Sequence, residues 1–175
     1  MPARRAVRAV LLGIAAVAFA LSAPGCRRNT RLAQEDLRSY LHGPSVSPVP
    51  FDPSALEGNV TVVIFFATWC LPCLGQLSLV RELQDEYGER GLRVVAVGMD
   101  LDGARMLRPF SEHYAPNVPV LVADEALRSG ETPFGKVREV PVSLILDRQG
   151  RFRVGWPGVA EAADVRREVE RALEQ

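Results

Sequence analysis

Val60-Thr61-Val62-Val63-Ile64-Phe65-Phe66, followed without a break by Ala67-Thr68-Trp69-Cys70-Leu71-Pro72-Cys73, is the stretch on which the fold turns. Its first seven residues show no alternation of polar and apolar side chains, which predicts a strand buried on both faces, as at the parallel centre of a layered α/β sheet. Beyond the cysteines, Leu74, Leu77, Val80, Leu83 and Tyr87 recur every three or four residues. That is the spacing of a helix with one apolar face, and Gly88 and Gly91 close it. The cysteines thus stand at a strand-to-helix junction. A pair separated by two residues there puts one thiol at the helix N-terminus and the other one turn inside, close enough to form a disulfide reversibly. The arrangement favours electron exchange over structural stapling.

Downstream, residues 92–99 read as a second buried strand, and strand, helix, strand at this spacing predicts a right-handed βαβ crossover. Residues 102–114 form a helix candidate interrupted by Pro109, and residues 118–122 a short strand. Residues 140–146 and 151–156 read as a hairpin around Asp147-Arg148-Gln149-Gly150, and a last helix covers 160–173. Upstream, Pro44, Pro48 and Pro50 remove backbone donors and discourage helix, so residues 26–50 read as an extended tether before a domain spanning 51–175. No internal repeat is present.

The N-terminus has the layout of an export signal: Arg4, Arg5 and Arg8, then an apolar stretch over residues 9–23, shorter than the ~20 residues a membrane-spanning helix needs. Ala23-Pro24-Gly25-Cys26 resembles the lipobox of bacterial lipoproteins, in which the signal peptide is cut before the cysteine and lipid is attached to it. The usual leucine three residues before that cysteine is Ala23 here, and ordinary cleavage or an uncleaved anchor are the alternatives. On this reading residues 1–25 are a signal peptide, Cys26 carries lipid, and Cys70 and Cys73 are the thiols that remain. The mature part, about 150 residues, suits one domain with its own core. Over the whole chain 21 basic and 21 acidic side chains cancel, and the mature part has no long basic run, which excludes the phosphate-neutralising surface of a nucleic-acid binder. Arg27, Arg28 and Arg31 either meet anionic headgroups or form a solvated linker. Outside the cytoplasm cysteine pairs tend to be oxidised, so a reducing protein there needs an electron source.

The element order, together with Phe65-Phe66-Ala67-Thr68-Trp69-Cys70-Leu71-Pro72-Cys73, Phe134-Gly135-Lys136-Val137-Arg138-Glu139-Val140-Pro141 and Leu144-Ile145-Leu146-Asp147-Arg148-Gln149-Gly150, resembles the thioredoxin fold. The details are similar to its membrane-tethered, extracytoplasmic branch, the thiol-disulfide oxidoreductases of the TlpA/ResA type. The resemblance spans about residues 52–174. It implies a three-layer α/β sandwich with a central mixed sheet, a disulfide reductase acting on exported proteins, and no cofactor. It further implies an integral-membrane thiol-disulfide electron donor, and substrates such as the haem-attachment cysteines of apocytochrome c. In that family the proline matching Pro141 is cis and faces the disulfide, turning the Val140 backbone toward the cysteines, where it can pair with an extended substrate.

Cys70 is expected to be the nucleophile, because it precedes the helix and its thiolate faces unsatisfied N–H groups and the positive end of the dipole. Cys73 resolves the mixed disulfide. Pro72 fits the first helical turn and stiffens the loop, and Trp69 either shields the site or packs in the core. The family's acids are missing. The position six residues before the first cysteine is Ile64, and the glutamate often found three residues after the second is Gln76, which accepts no proton at neutral pH. Water or a loop acid such as Glu139 is left to take that part. Two other functions share this fold. Copper binding has only His42 and His113 to add to the cysteines, with no zinc-finger spacing, and no metal site is assigned. A peroxiredoxin-like antioxidant normally sets its cysteine after a Pro/Thr-rich loop, whereas Ala67-Thr68-Trp69 precedes Cys70.

Overall fold

A computed structural model describes residues 35–115 and 117–175. The strand read first in the sequence is the middle of a five-stranded mixed sheet. β1 (Val60–Phe66) pairs in parallel with β2 (Leu92–Gly98), reached through helix α1 (Leu71–Tyr87). Helix α2 (Ala104–Tyr114) leads to the short edge strand β3 (Val120–Val122), parallel to β2. A five-residue helix, α3 (Glu125–Ser129), and a long loop then bring in β4 (Val142–Leu146), antiparallel to β1, and β5 (Phe152–Pro157), antiparallel to β4. Helix α4 (Ala162–Leu173) closes the chain, and the strand order is β3-β2-β1-β4-β5. The expected thioredoxin-like sandwich with a central mixed sheet is borne out.

All seven residues of β1 are buried, and successive ones enter opposite layers. Val62, Ile64 and Phe66 join Val94 and Ala96 of β2 under Leu77, Val80 and Leu83 of α1, Leu107 of α2 and Val165 and Val169 of α4. Val63 and Phe65 join Val95 and Val97 on the other side. The packing on the first side is close: a Cβ added to Gly98 at the end of β2 would lie 2.3 Å from Leu107 Cδ2.

The second side corrects the expected tether. Its cover includes Leu37 and Leu41, which bracket a 3-10 turn (Leu37–Tyr40), and Leu56 from a second such turn (Pro53–Leu56). The Leu37 N–H donates to Gly150 O, and the Arg38 guanidinium donates to the carbonyls of Leu56 and Arg148. Further on, the Val46 N–H donates to Val120 O, the Val120 N–H to Ser45 Oγ, and Ser47 Oγ to Val118 O. These bonds occupy the exposed edge of β3, which would otherwise offer unpaired backbone groups to another chain. From Glu35 onward the segment is therefore part of the folded unit, and its prolines break helix without releasing it from the domain. The rest of the expected tether, and the signal peptide with Cys26, lie outside the described residues.

Pro109 does not interrupt α2, which runs unbroken through it. In a helix of 11 residues the missing donor costs one internal bond, and buried Leu107 and Ser111 hold the flanking turns against the core. Among the described residues no helix is long and apolar enough to cross a membrane.

Candidate active site

The site grows from the C-terminal end of β1. After Phe66 the chain turns over residues 67–70, closed by the Cys70 N–H donating to Ala67 O at 3.1 Å, and enters α1 with Cys70 as its N-cap. The Cys70 backbone is extended (φ −91°, ψ 100°), so its side chain lies over the first turn. There the Cys73 N–H donates to Cys70 Sγ at 3.2 Å. This is the bond a capping serine or aspartate normally accepts, and here it is aimed at sulfur. A negative charge on Cys70 Sγ would be stabilised by that donor and by the helix dipole. Cys70 and Cys73 form a disulfide, with Cα atoms 5.3 Å apart. Cys73 is fully buried and Cys70 is 5% exposed, so Cys70 is the sulfur on the solvent side.

The second anchor arrives from the loop before β4. The Val140–Pro141 bond is cis, and Val140 O lies 3.5 Å from Cys70 Sγ. Residues 70 positions apart in sequence therefore meet across the sheet end, as the resemblance implies. Pro72 stands in the first turn of α1 and is exposed. Trp69 is 74% exposed, which rules out the core-packing alternative for it. It lines a pocket of about 250 Å³ with Met99, Leu101, Val137 and Val140, and Arg128, Arg138 and Glu139 complete the rim. Leu71 and Leu101 project further still, at 79% and 91% exposure. A disulfide set in so large an apolar rim is suited to meeting another polypeptide.

Around Cys73 the surroundings are neutral. Ile64 is buried in the sheet, and Gln76, 4% exposed, lies one turn along α1. The Gln76 Nε2 donates to Ala160 O at 2.8 Å, and its Oε1 accepts from Ser143 Oγ at 3.3 Å. The amide thus ties α1 to β4 and to the loop before α4, a role needing both a donor and an acceptor. Glu139 sits on the exposed rim beside Trp69, not in this buried layer. The two histidines have other partners: His42 Nε2 lies 2.8 Å from Asp124 Oδ2, and His113 packs edge-on against Tyr114. Among the described residues no group of three or more His, Cys, Asp or Glu side chains is placed to hold a metal ion.

One buried acid of the site escaped the sequence reading. Asp100 is 5% exposed, and its carboxylate accepts from the Thr68 N–H (3.1 and 3.2 Å to its two oxygens) and from Thr68 Oγ1 (2.5 Å). No pattern in the sequence marks it; the observed register, with Phe66 paired to Gly98, carries the two strands on so that Thr68 meets Asp100.

Known proteins of similar sequence and structure agree with this geometry. The chain is 38% identical over 68 residues to the thiol-disulfide oxidoreductase ResA of Oceanobacillus iheyensis, covering 38% of this chain and 34% of that one. It is 29% identical over 96 residues to the thioredoxin-like protein YneN of Bacillus subtilis, covering 54% of each. These matches span between a third and somewhat over half of the relatives' own lengths. In structure, a thiol:disulfide interchange protein of the thioredoxin family from Chlorobium tepidum superposes with a TM-score of 0.64 at 28% identity, over 75% of this chain and 91% of that one. A DsbE-type thiol:disulfide interchange protein from the same organism gives 0.62 at 25% identity, over 74% and 90%. The Redoxin family matches residues 18–152, a span that holds the cysteine pair, Asp100 and the cis-proline loop. The chain belongs to the Redoxin family, and within the thioredoxin fold it is similar to thiol-disulfide oxidoreductases of the ResA type.

Proposed function

We propose that the protein is a thiol-disulfide oxidoreductase that reduces disulfides of exported proteins from an extracytoplasmic, lipid-anchored position in a bacterial cell envelope. The observation that carries this reading is the Cys70–Cys73 disulfide at the N-cap of α1, its outer sulfur 3.5 Å from Val140 O inside an exposed apolar rim. In the dithiol form the Cys70 thiolate attacks one sulfur of a substrate disulfide. A mixed disulfide forms and one substrate thiolate leaves, to be protonated. Cys73 then gives up its proton and attacks Cys70 Sγ, closing the intramolecular disulfide and releasing the second substrate thiolate. Two electrons pass to the substrate, and an integral-membrane dithiol donor returns two to the protein.

Trp69 and Pro72 flank the attacked sulfur, and the Val140–Pro141 backbone receives an extended substrate segment beside it in the manner of strand addition. Apocytochrome c, with its paired cysteines, is a substrate of the right chemistry. The export signal and Cys26 supply the anchor and the location.

The test is capture. In a Cys73→Ser variant the mixed disulfide on Cys70 cannot resolve, so it should accumulate covalent adducts with exported proteins that dithiothreitol releases, and a Cys70→Ser variant should capture none. Absence of adducts from Cys73→Ser overturns the reading. The direction is tested by the equilibrium potential of the pair, since a value near the −120 mV of a strong oxidant contradicts a reductase.

A further inference from the structure

Asp100 is the buried titratable group that this chemistry leaves unused. Every hydrogen bond its carboxylate accepts among the described residues comes from Thr68, and none comes from a guanidinium or ammonium group. Thr68 lies inside the turn that the Ala67 carbonyl and the Cys70 N–H close, so the carboxylate grips the turn from which the outer sulfur enters its helix. Two residues of chain, at most about 7 Å, separate Thr68 from Cys70. Asp100 and Cys70 are each 5% exposed, where charge interactions are screened far less than at the surface. Asp100 also roots the loop that carries Leu101, so its bonds to Thr68 set Trp69 and Leu101 on one pocket wall.

We propose that Asp100 is a positioning residue of the redox centre. It fixes the turn that presents Cys70, and it sets a buried carboxylate on that same turn, whose negative charge opposes the thiolate and makes the pair a stronger electron donor. The charge works against the helix N-terminus. The Cys73 N–H and the dipole favour the thiolate and hence the reduced form, while Asp100 disfavours it and shifts the balance toward the disulfide. Other charges near the sulfur have different positions. The first turn of α1 has no acidic residue, and Arg128, Arg138 and Glu139 line the rim beside Trp69. Asp102 and Arg105 are exposed and lie 3.9 Å from each other.

The inference deepens the proposed thiol-disulfide chemistry and rests on it, but its test needs no substrate protein. The full chain is reduced, and the alkylation rate of Cys70 by iodoacetamide is followed against pH by mass spectrometry. The equilibrium with glutathione is measured at pH 8. Asp100→Asn keeps an oxygen to accept from Thr68 and removes the charge. It should lower the alkylation midpoint and move the glutathione equilibrium at least threefold toward the dithiol, where tenfold corresponds to about 30 mV. Thr68→Val strips the hydroxyl donor and leaves the charge, and should raise the midpoint.

Glu139→Gln removes an exposed rim charge and should move the midpoint less than Asp100→Asn. An unmoved midpoint in Asp100→Asn, or an equal shift in Glu139→Gln, overturns the proposal. Should thermal melting show that Asp100→Asn does not fold, Thr68→Val decides alone: a midpoint that stays or falls is fatal. Failure of the functional reading looks different, with Cys70 titrating as described while the parent exchanges with no protein disulfide.

Discussion

Gln76→Glu restores an ionisable group one turn from Cys73, and the surroundings of Gln76 set what that group can do. The glutamine donates to Ala160 O and accepts from Ser143 Oγ in a layer closed to water. An ionised glutamate can keep the serine bond but turns a negative oxygen toward the Ala160 carbonyl. A protonated one keeps both bonds. Burial and the carbonyl therefore both favour the neutral acid, and the folded-state pKa should rise about two to three units above the ordinary value of about 4.3.

The sign follows from linkage. Below about pH 4.3 both states are protonated and the variant is about as stable as the parent. Between that pH and the folded value the unfolded chain ionises while the folded one does not, and stability is lost. Above the folded value the loss levels off at about 3–4 kcal/mol, a large part of the ~5–15 kcal/mol that holds a domain together. The assay is urea unfolding of parent and variant from pH 4 to 8, with the rate of mixed-disulfide resolution in parallel. The variant's deficit should widen over that range. Above about pH 7 its resolution rate should exceed the parent's, because an ionised carboxylate can take the Cys73 proton. A deficit equal at pH 4 and pH 8, with an unchanged pH profile for resolution, refutes the reasoning.

Other expectations concern the fold that carries the site. Leu41→Ala, at a position first read as tether, should cost about 2–5 kcal/mol in chemical denaturation; a loss below 0.5 kcal/mol would mean the segment adds nothing to the core. Gly98→Ala drives a methyl group into Leu107 and should destabilise by about 1–3 kcal/mol, with Leu107→Ala recovering part of the loss in the double variant. Burial pushes the Asp147 carboxyl up, but hydrogen bonds from the Arg151 N–H and guanidinium and from the Gln149 N–H outweigh it and hold it below the usual range. Its contribution is present above the unfolded value of about 3.9 and lost as pH falls through the folded one. Asp147→Asn should therefore cost about 1 kcal/mol at pH 7 and progressively less below pH 4, and a deficit that persists at pH 2 would contradict this.

The parts legible in the sequence are those where one physical demand dominates. β1 needs apolar residues on both faces, and its bounds follow from that run. α1 shows its inward stripe in Leu77, Val80 and Leu83. The cysteine spacing and Pro141 locate the chemistry because few other constraints produce them together.

What was misread depends on neighbours distant in sequence. Leu37, Leu41 and Val46 look like isolated apolar residues in a polar, proline-rich stretch until the sheet supplies their partners, Leu37 and Leu41 on the side of Phe65 and Val46 in the core on the side of α1 and α2. Pro109 argues locally against helix and is overruled by Leu107 and Ser111 beneath it. Asp100 is an ordinary post-strand acid until strand register sets it against Thr68. Gln76 reads rightly as no proton carrier, but only the structure shows what its amide does instead, making two bonds that no carboxylate can make at once.

The attachment of residues 37–41 beside the Gly150 turn also decides which way the molecule points. That turn sits at the end of the sheet where β1 begins, and the cysteine pair at the end where β1 leaves off. The seven residues of β1 set the two ends roughly 23 Å apart. Any tether upstream of Glu35 therefore pulls on the pole opposite the disulfide. A molecule held from that pole would turn its reactive face away from the surface that holds it.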